Sequence, residues 1–218
     1  IPLFGSLEIL IISLGYVFLW IPFLIFCYGL YREIRTGISK RWWIENWKPI
    51  ALVFLTTAWL LSVEPFMFKI INDELMIAST AQSMHLDRAA AVARFANWSS
   101  GPFNVFEAFL DKRPFLLPFL VSILHDLTGY RVANIFILNA ILTLVFVAVS
   151  FWIVSRLTSR RGAYIFLLLI AFFPVLSQGA TSGNASILNL TLLASALALA
   201  IRYGEKPTSG SLVPLVYC

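Results

Sequence analysis

Cysteine is nearly absent. Of 218 residues only Cys27, inside an apolar run, and Cys218, at the last position, are cysteines, so a disulfide scaffold is excluded and neither residue reports a redox compartment. Charge is scarce as well: Asp, Glu, Lys and Arg make up 12% of the chain, against about 25% in a soluble domain. The only histidines are His85 and His125, with no cysteine at ligand spacing, so no zinc site is expected. There is no Gly-rich phosphate loop, no nucleophile elbow and no HExxH pair. What the chain does have is apolar surface. Hydrophobic residues reach 60% and aromatics 15%, with 19 Phe and 7 Trp, and mean hydropathy is +0.86. This composition excludes intrinsic disorder and suits a lipid-facing surface with interfacial anchors. The net charge of +5 does not point to nucleic acid, because the basic residues punctuate apolar runs instead of forming one stripe. The expected fold class is an all-α polytopic membrane protein.

A helical span needs about 20 apolar residues. Five runs approach that length: Leu7–Leu30, Pro49–Ile71, Val132–Val154, Ala163–Leu176 and Ala185–Ile201, and a sixth begins at Leu212. The first run holds only Glu8 and lacks a basic n-region and a cleavage site, so it reads as a span and not a signal peptide. Arg32, Arg35, Lys40, Arg41 and Lys48 follow the first run, Arg156, Arg160 and Arg161 the third, and Arg202 and Lys206 the fifth. All of these fall on the cytoplasmic side if Phe115–Thr128, 14 residues long, lies at the surface or re-enters without crossing. The N-terminus is then outside, and one long external segment runs from Asn72 to about Arg131.

Three helices are expected in that segment. The first, Asp73–His85, would be capped by Asn72; the second, Leu86–Ala96, would lie in the interface on its alanine spacing; the third would follow Pro114. Trp98-Ser-Ser-Gly-Pro102 is expected to break the second from the third. Asn134, Asn139 and Asn189 are expected as interhelical hydrogen-bond partners, and the alanines from Ala194 to Ala200 as small-residue packing positions. Apart from Glu8 at the start of the first run, only Glu64 and Lys69 are charged within the spans, too few for an ion pathway. Pro65 after Glu64 would kink the second span.

Chemistry is expected in the external segment. Asp73-Glu74 sits where the second span leaves the lipid, and a partly desolvated carboxylate there is a better general base than one in water. The same pair also suits a plain structural role, two acids complementing the dipole of a helix start. Lys112-Arg113-Pro114 precedes the short helix. These two cations could bind a lipid-linked phosphate or simply snorkel at the membrane surface.

In order along the chain, Asp73-Glu74, two interfacial helices, Asp111-Lys112-Arg113-Pro114-Phe115-Leu116-Leu117, a short helix ending Leu127-Thr128-Gly129-Tyr130, and Arg131 opening the next span resemble the GT-C superfamily of integral-membrane glycosyltransferases. The resemblance is to its protein O-mannosyltransferase and aminoarabinose-transferase branch. It covers about residues 49–206, with external loop 72–131. Residues 1–48 look like an extra span with a basic loop, and 207–218 like the start of a further span or the chain end.

The resemblance implies a GT-C-like helix bundle with interfacial helices in the first long external loop. It also implies inverting transfer of a sugar from a polyprenyl-phosphate donor to an acceptor hydroxyl on the non-cytoplasmic face, periplasmic or lumenal. Asp73 would be the base, Glu74 would position acceptor or cation, and Lys112 with Arg113 would stabilise the leaving phosphate. Asn184, in the second external loop, stands where the family often has an acid. Asparagine can ligate a cation or hydrogen-bond a phosphate without carrying charge, which leaves a divalent cation open as a cofactor and no metal ligand assigned. The tyrosine usual after Asp-Glu is replaced by Leu75-Met76-Ile77-Ala78, and Lys-Pro-Pro by Lys112-Arg113-Pro114. Family members are generally longer. The chain is therefore expected to be a fragment of a full enzyme or a shortened relative. The alternative function is a non-catalytic structural or accessory subunit of a membrane complex, with membrane lipids and other subunits as partners.

Overall fold

The structure, a computed structural model, describes residues 6–37, 46–97 and 104–205. The sixth run from Leu212 and the break at Trp98–Pro102 lie outside the described residues. In chain order the elements are α1 (Ser6–Gly37), α2 (Trp47–Val63), α3 (Ile71–Leu86), β1 (Val92–Asn97), β2 (Asn104–Phe109), α4 (Leu116–Thr128), α5 (Ala133–Leu157), α6 (Arg160–Ala171), α7 (Pro174–Ala180) and α8 (Ser186–Glu205). The fold is the expected helical, polytopic membrane protein. Helices α1, α5 and α8 are long and apolar enough to cross a bilayer, and α6 with α7 adds a fourth crossing if that pair, bent by 72°, is one broken span. The bend has a sequence cause: Pro174 cannot continue the hydrogen-bond ladder of α6, and it opens α7 at the position proline tolerates.

The second expected span is shorter than its apolar run. α2 has 17 residues, about 26 Å of helix, and stops at Val63. Glu64-Pro65 ends the helix instead of kinking it, because the residue before proline is pushed out of the helical region; Glu64 is extended at φ −126°.

The contacts divide the chain into two compact units that do not follow chain order. One comprises Ile1–Ile21 and Phe68–Leu138, the other Pro22–Met67 and Asn139–Cys218. In the second unit, Val53 and Leu60 of α2 pack with Val147, Leu167, Ile170, Leu176 and Ile187 as one apolar core. Ser177 Oγ donates to the Leu60 carbonyl at 2.7 Å, and Asn139 Nδ2 donates to the carbonyls of Ser182 and Asn184 at 2.7 and 3.0 Å. Asn139 is thus the expected hydrogen-bonding asparagine. Asn189 is not: its side chain is exposed on α8, where helix periodicity turns it away from the buried Ile187, Leu188 and Thr191. The alanines beyond Ala194 are likewise not buried in this chain.

In the first unit, α3 packs on α4 and on β1. Met84, Ala81, Leu117 and Phe119 form the seam at no more than 1% exposure. The ring of Phe119 meets Tyr16 and Trp20 of α1 edge-on, with centroids 5.7 and 5.2 Å apart.

Here one expectation is overturned. Leu86–Ala96 is not a helix but runs into β1 of an antiparallel hairpin, with Val92 opposite Phe109 and Asn97 opposite Asn104. The alanine spacing favours a helix, but tertiary contacts override propensity. Helix α3 ends at Leu86, Arg88 takes a left-handed φ of 56°, and the Ala90 N–H donates to the Ile12 carbonyl of α1 at 2.8 Å. Gly15 permits that approach, since a Cβ there would stand 3.1 Å from the Ala90 Cβ.

Candidate active site

Asp73 and Glu74 lie in the first turn of α3, but Asn72 is not its cap. The helix starts two residues earlier, at Ile71, Ile70 takes the capping position, and no side chain caps the end. The two acids then diverge. Glu74 is completely buried, and its Oε2 accepts the Lys69 backbone N–H at 2.6 Å, reaching back over the helix start. Asp73 points the other way with half its side chain exposed.

Between the hairpin and α4, Asp111, Lys112 and Arg113 form a short turn ahead of Pro114. The guanidinium of Arg113 bridges two carboxylates. One terminal nitrogen donates to Asp73 Oδ1, and the other donates to both oxygens of Asp111 at 2.8 and 3.1 Å. Asp111 is buried, 6% exposed at its side chain. The bond to Asp73 first, then the charges of Asp111 and Asp73, raise the Arg113 pKa against the opposing effect of burial, so Arg113 is a permanent cation. Lys112 is exposed beside it and has no hydrogen bond or ion pair among the described residues. The structure therefore brings Asp73 and Arg113 together, turns Glu74 inward and leaves Lys112 open. Asn184 belongs to the other compact unit. Its Oδ1 accepts the Ser186 N–H at 2.9 Å at the start of α8.

The opposite end of α3 carries a second polar cluster that sequence reasoning missed. His85 Nδ1 meets Asp126 Oδ1 at 2.6 Å, and Arg88 donates to Asp126 Oδ2 at 2.6 Å and to the Tyr16 hydroxyl at 2.9 Å. The Arg88 guanidinium also covers the Tyr16 ring at 5.4 Å from its centroid. Burial pushes the Asp126 carboxyl up, but the hydrogen bonds from Arg88 and His85 win and hold it below the usual carboxylate range. Next to it, His125 is buried. That desolvation, with the charge of His85, lowers its pKa to about 4 against the pull of Asp126, so the ring is neutral at pH 7. Asn134 Nδ2 lies 2.8 Å from His125 Nδ1 and donates to Thr128 Oγ1 and the Gly129 carbonyl at 3.0 Å each. The Gly129 carbonyl only accepts, so the amide nitrogen faces this way. A signal existed in the sequence: His85, Arg88 and Asp126 are polar residues at the ends of apolar helices. Their meeting depends on a reversal at Arg88 that no spacing encodes.

These pairings fix the run of the two helices. Asp73 at the start of α3 meets Arg113 just ahead of α4, and His85 near the end of α3 meets Asp126 near the end of α4. The helices are therefore parallel, with both N-termini on the Asp73 side and their unpaired N–H groups favouring negative charge there. A cation does not fit the acids present. Asp73 and Asp111 both turn to Arg113, and among the described residues no three His, Cys, Asp or Glu side chains gather closely enough to hold a metal.

An integral membrane protein of packed helices, with a half-exposed carboxylate, an arginine and an exposed lysine grouped beside a helix start, is the class this geometry defines. Residues 112–217 match the family model described as dolichyl-phosphate-mannose-protein mannosyltransferase, which supports a glycosyltransferase of the GT-C type. The matched segment is slightly under half of the chain and includes Lys112, Arg113 and Asn184, but not Asp73, Glu74 or Asp111. No curated protein and no solved structure matches the chain.

Proposed function

We propose that the protein transfers a sugar from a polyprenyl-phosphate donor to an acceptor hydroxyl on the non-cytoplasmic face of its membrane, with inversion at the anomeric carbon. The observation that carries this reading is the Arg113 bridge between half-exposed Asp73 and buried Asp111, beside an open Lys112. A transfer of this kind needs a base on the acceptor side and positive charge on the departing phosphate. Asp73 takes the proton of the acceptor hydroxyl as its oxygen bonds to the anomeric carbon. The bond from that carbon to the phosphate oxygen breaks, its electron pair leaves with the polyprenyl phosphate, and Lys112 meets the added charge. Arg113 keeps Asp73 aimed through its hydrogen bond to Oδ1. The donor chain lies along the apolar helices, which is why such a site belongs at the membrane surface. The positive-inside distribution supports an external N-terminus and an external site.

The test is Asp73→Asn in native membrane vesicles supplied with dolichyl-phosphate-mannose. Transfer is expected to fall by about a thousandfold or more, with the melting temperature little changed. Normal transfer by the variant removes the base assignment; no transfer by the wild-type protein leaves the non-catalytic subunit as the better reading.

A further inference from the structure

We infer that Asp111 is a positioning residue for the transfer reaction: it holds Arg113 so that the arginine offers Asp73 one nitrogen and leaves the rest of that carboxylate for the acceptor. This deepens the proposed function and rests on Asp73 being the base. Asp111 lies one residue before the matched segment and cannot touch the anomeric carbon through its own side chain, which is buried and spent on Arg113. Both its oxygens accept from the same guanidinium nitrogen, at 2.8 and 3.1 Å, and the other terminal nitrogen goes to a single oxygen of Asp73. That division is not what an arginine and a carboxylate choose when alone, since the preferred pairing is a two-pronged fork covering both oxygens. Asp111 prevents the fork by claiming half of the guanidinium. Asp73 Oδ2 is then left for a hydroxyl proton, and the carboxylate keeps half of its surface open. The other charged groups nearby do not replace Asp111: Glu74 is buried against the Lys69 backbone, and Lys112 is exposed away from any bond among the described residues.

Asp111→Asn and Asp111→Glu are to be compared with wild type and Asp73→Asn, as the full chain in native membrane vesicles. The donors are dolichyl phosphates carrying mannose, glucose or aminoarabinose, and release of dolichyl phosphate is read against folded protein. In Asp111→Asn the arginine is free to swing onto both oxygens of Asp73. The expected result is a kcat about tenfold lower, a donor KM within about threefold because Lys112 still faces the phosphate, and recovery of most of the rate in Asp111→Glu. A kcat per folded molecule equal to wild type in Asp111→Asn, with only the yield of folded protein reduced, would make Asp111 a purely structural anchor and overturn the inference. So would a lost rate that Asp111→Glu does not restore. Should Asp111→Asn fail to fold, Asp111→Glu with wild-type yield and a rate as low as Asp73→Asn overturns it as well. If Asp73→Asn turns over normally, the base assignment fails and this inference goes with it; if wild type consumes none of the donors, the proposed function itself fails.

Discussion

Helix α3 ends in two charged groupings, about 18 Å apart along its axis, that differ in what they leave open. At its start, Arg113 joins a half-exposed Asp73 to a buried Asp111, and Lys112 stands exposed beside them. At its end, both oxygens of Asp126 are bonded, one by His85 and one by Arg88, Arg88 is stacked on Tyr16, and Asn134 lies against His125. Both use an arginine and a carboxylate. The difference is that Arg113 leaves one oxygen of Asp73 unbonded among the described residues, beside an exposed lysine, whereas both oxygens of Asp126 are bonded. A charged cluster that satisfies itself is a clasp, whereas one with a donor or acceptor left over can take part in chemistry.

Two substitutions separate the ends most sharply. Asp73→Asn is expected to abolish transfer without a change in melting temperature. Asp126→Ala should do the reverse: it strips Arg88 and His85 of their shared partner and destabilises the unit by about 1–2 kcal/mol, while kcat per folded molecule stays at wild type. Thermal melts and donor turnover on the same preparations read both, and an Asp126→Ala variant that folds normally but is inactive would reverse the two roles. Next in size is Lys112→Ala, with an expected rise in donor KM of about tenfold and little loss of kcat at saturating donor. An unchanged KM would remove Lys112 from the phosphate site.

Smaller effects sharpen the clasp. Gly129 holds φ 82° just past α4 with open space around it, so Gly129→Ala costs about 1 kcal/mol from backbone strain alone and should leave turnover intact. The pH dependence follows from His125. Its folded pKa of about 4 lies below the ordinary value near 6.5, so between these limits the unfolded chain binds a proton that the folded one refuses. Stability is expected to fall as pH drops from 6.5 towards 4, and this contribution levels off below 4. Asp126, with its pKa held down in the folded state, adds a further loss below the usual carboxylate range. Melts of His125→Gln between pH 7 and pH 4 should show a shallower decline; a decline identical to wild type would clear His125 of that part.

Much of this was legible from residue order. The apolar runs predicted α1, α5 and α8, and Pro114 predicted a helix shortly after it, whereas only the family resemblance put Asp73 with Lys112-Arg113. What escaped was decided by contacts far apart in sequence. Leu86–Ala96 has helical spacing, yet the Ile12 carbonyl and Gly15 draw Ala90 out of any helix. Glu74 and Asp73 are neighbours in a motif, but the helix turns them to different faces, and Glu74 goes inward to accept the Lys69 N–H. Asp111 looked like one more external acid until Arg113 turned back on it.

The bond from Ala90 to Ile12 also bears on how this segment can be handled. The compact unit that carries Asp73 is assembled from two stretches of chain with about fifty residues between them, Ile1–Ile21 and Phe68–Leu138. A loop cut out at its apparent borders, or grafted onto another membrane scaffold, would leave behind Ile12, Tyr16 and Trp20. The Ala90 N–H would lose its acceptor, Arg88 its stacking ring and Phe119 the rings on its face. The portable piece is therefore the loop together with the first half of α1. A helix whose sequence reads as a mere membrane anchor is, on its inward face, part of the floor on which the external segment is built.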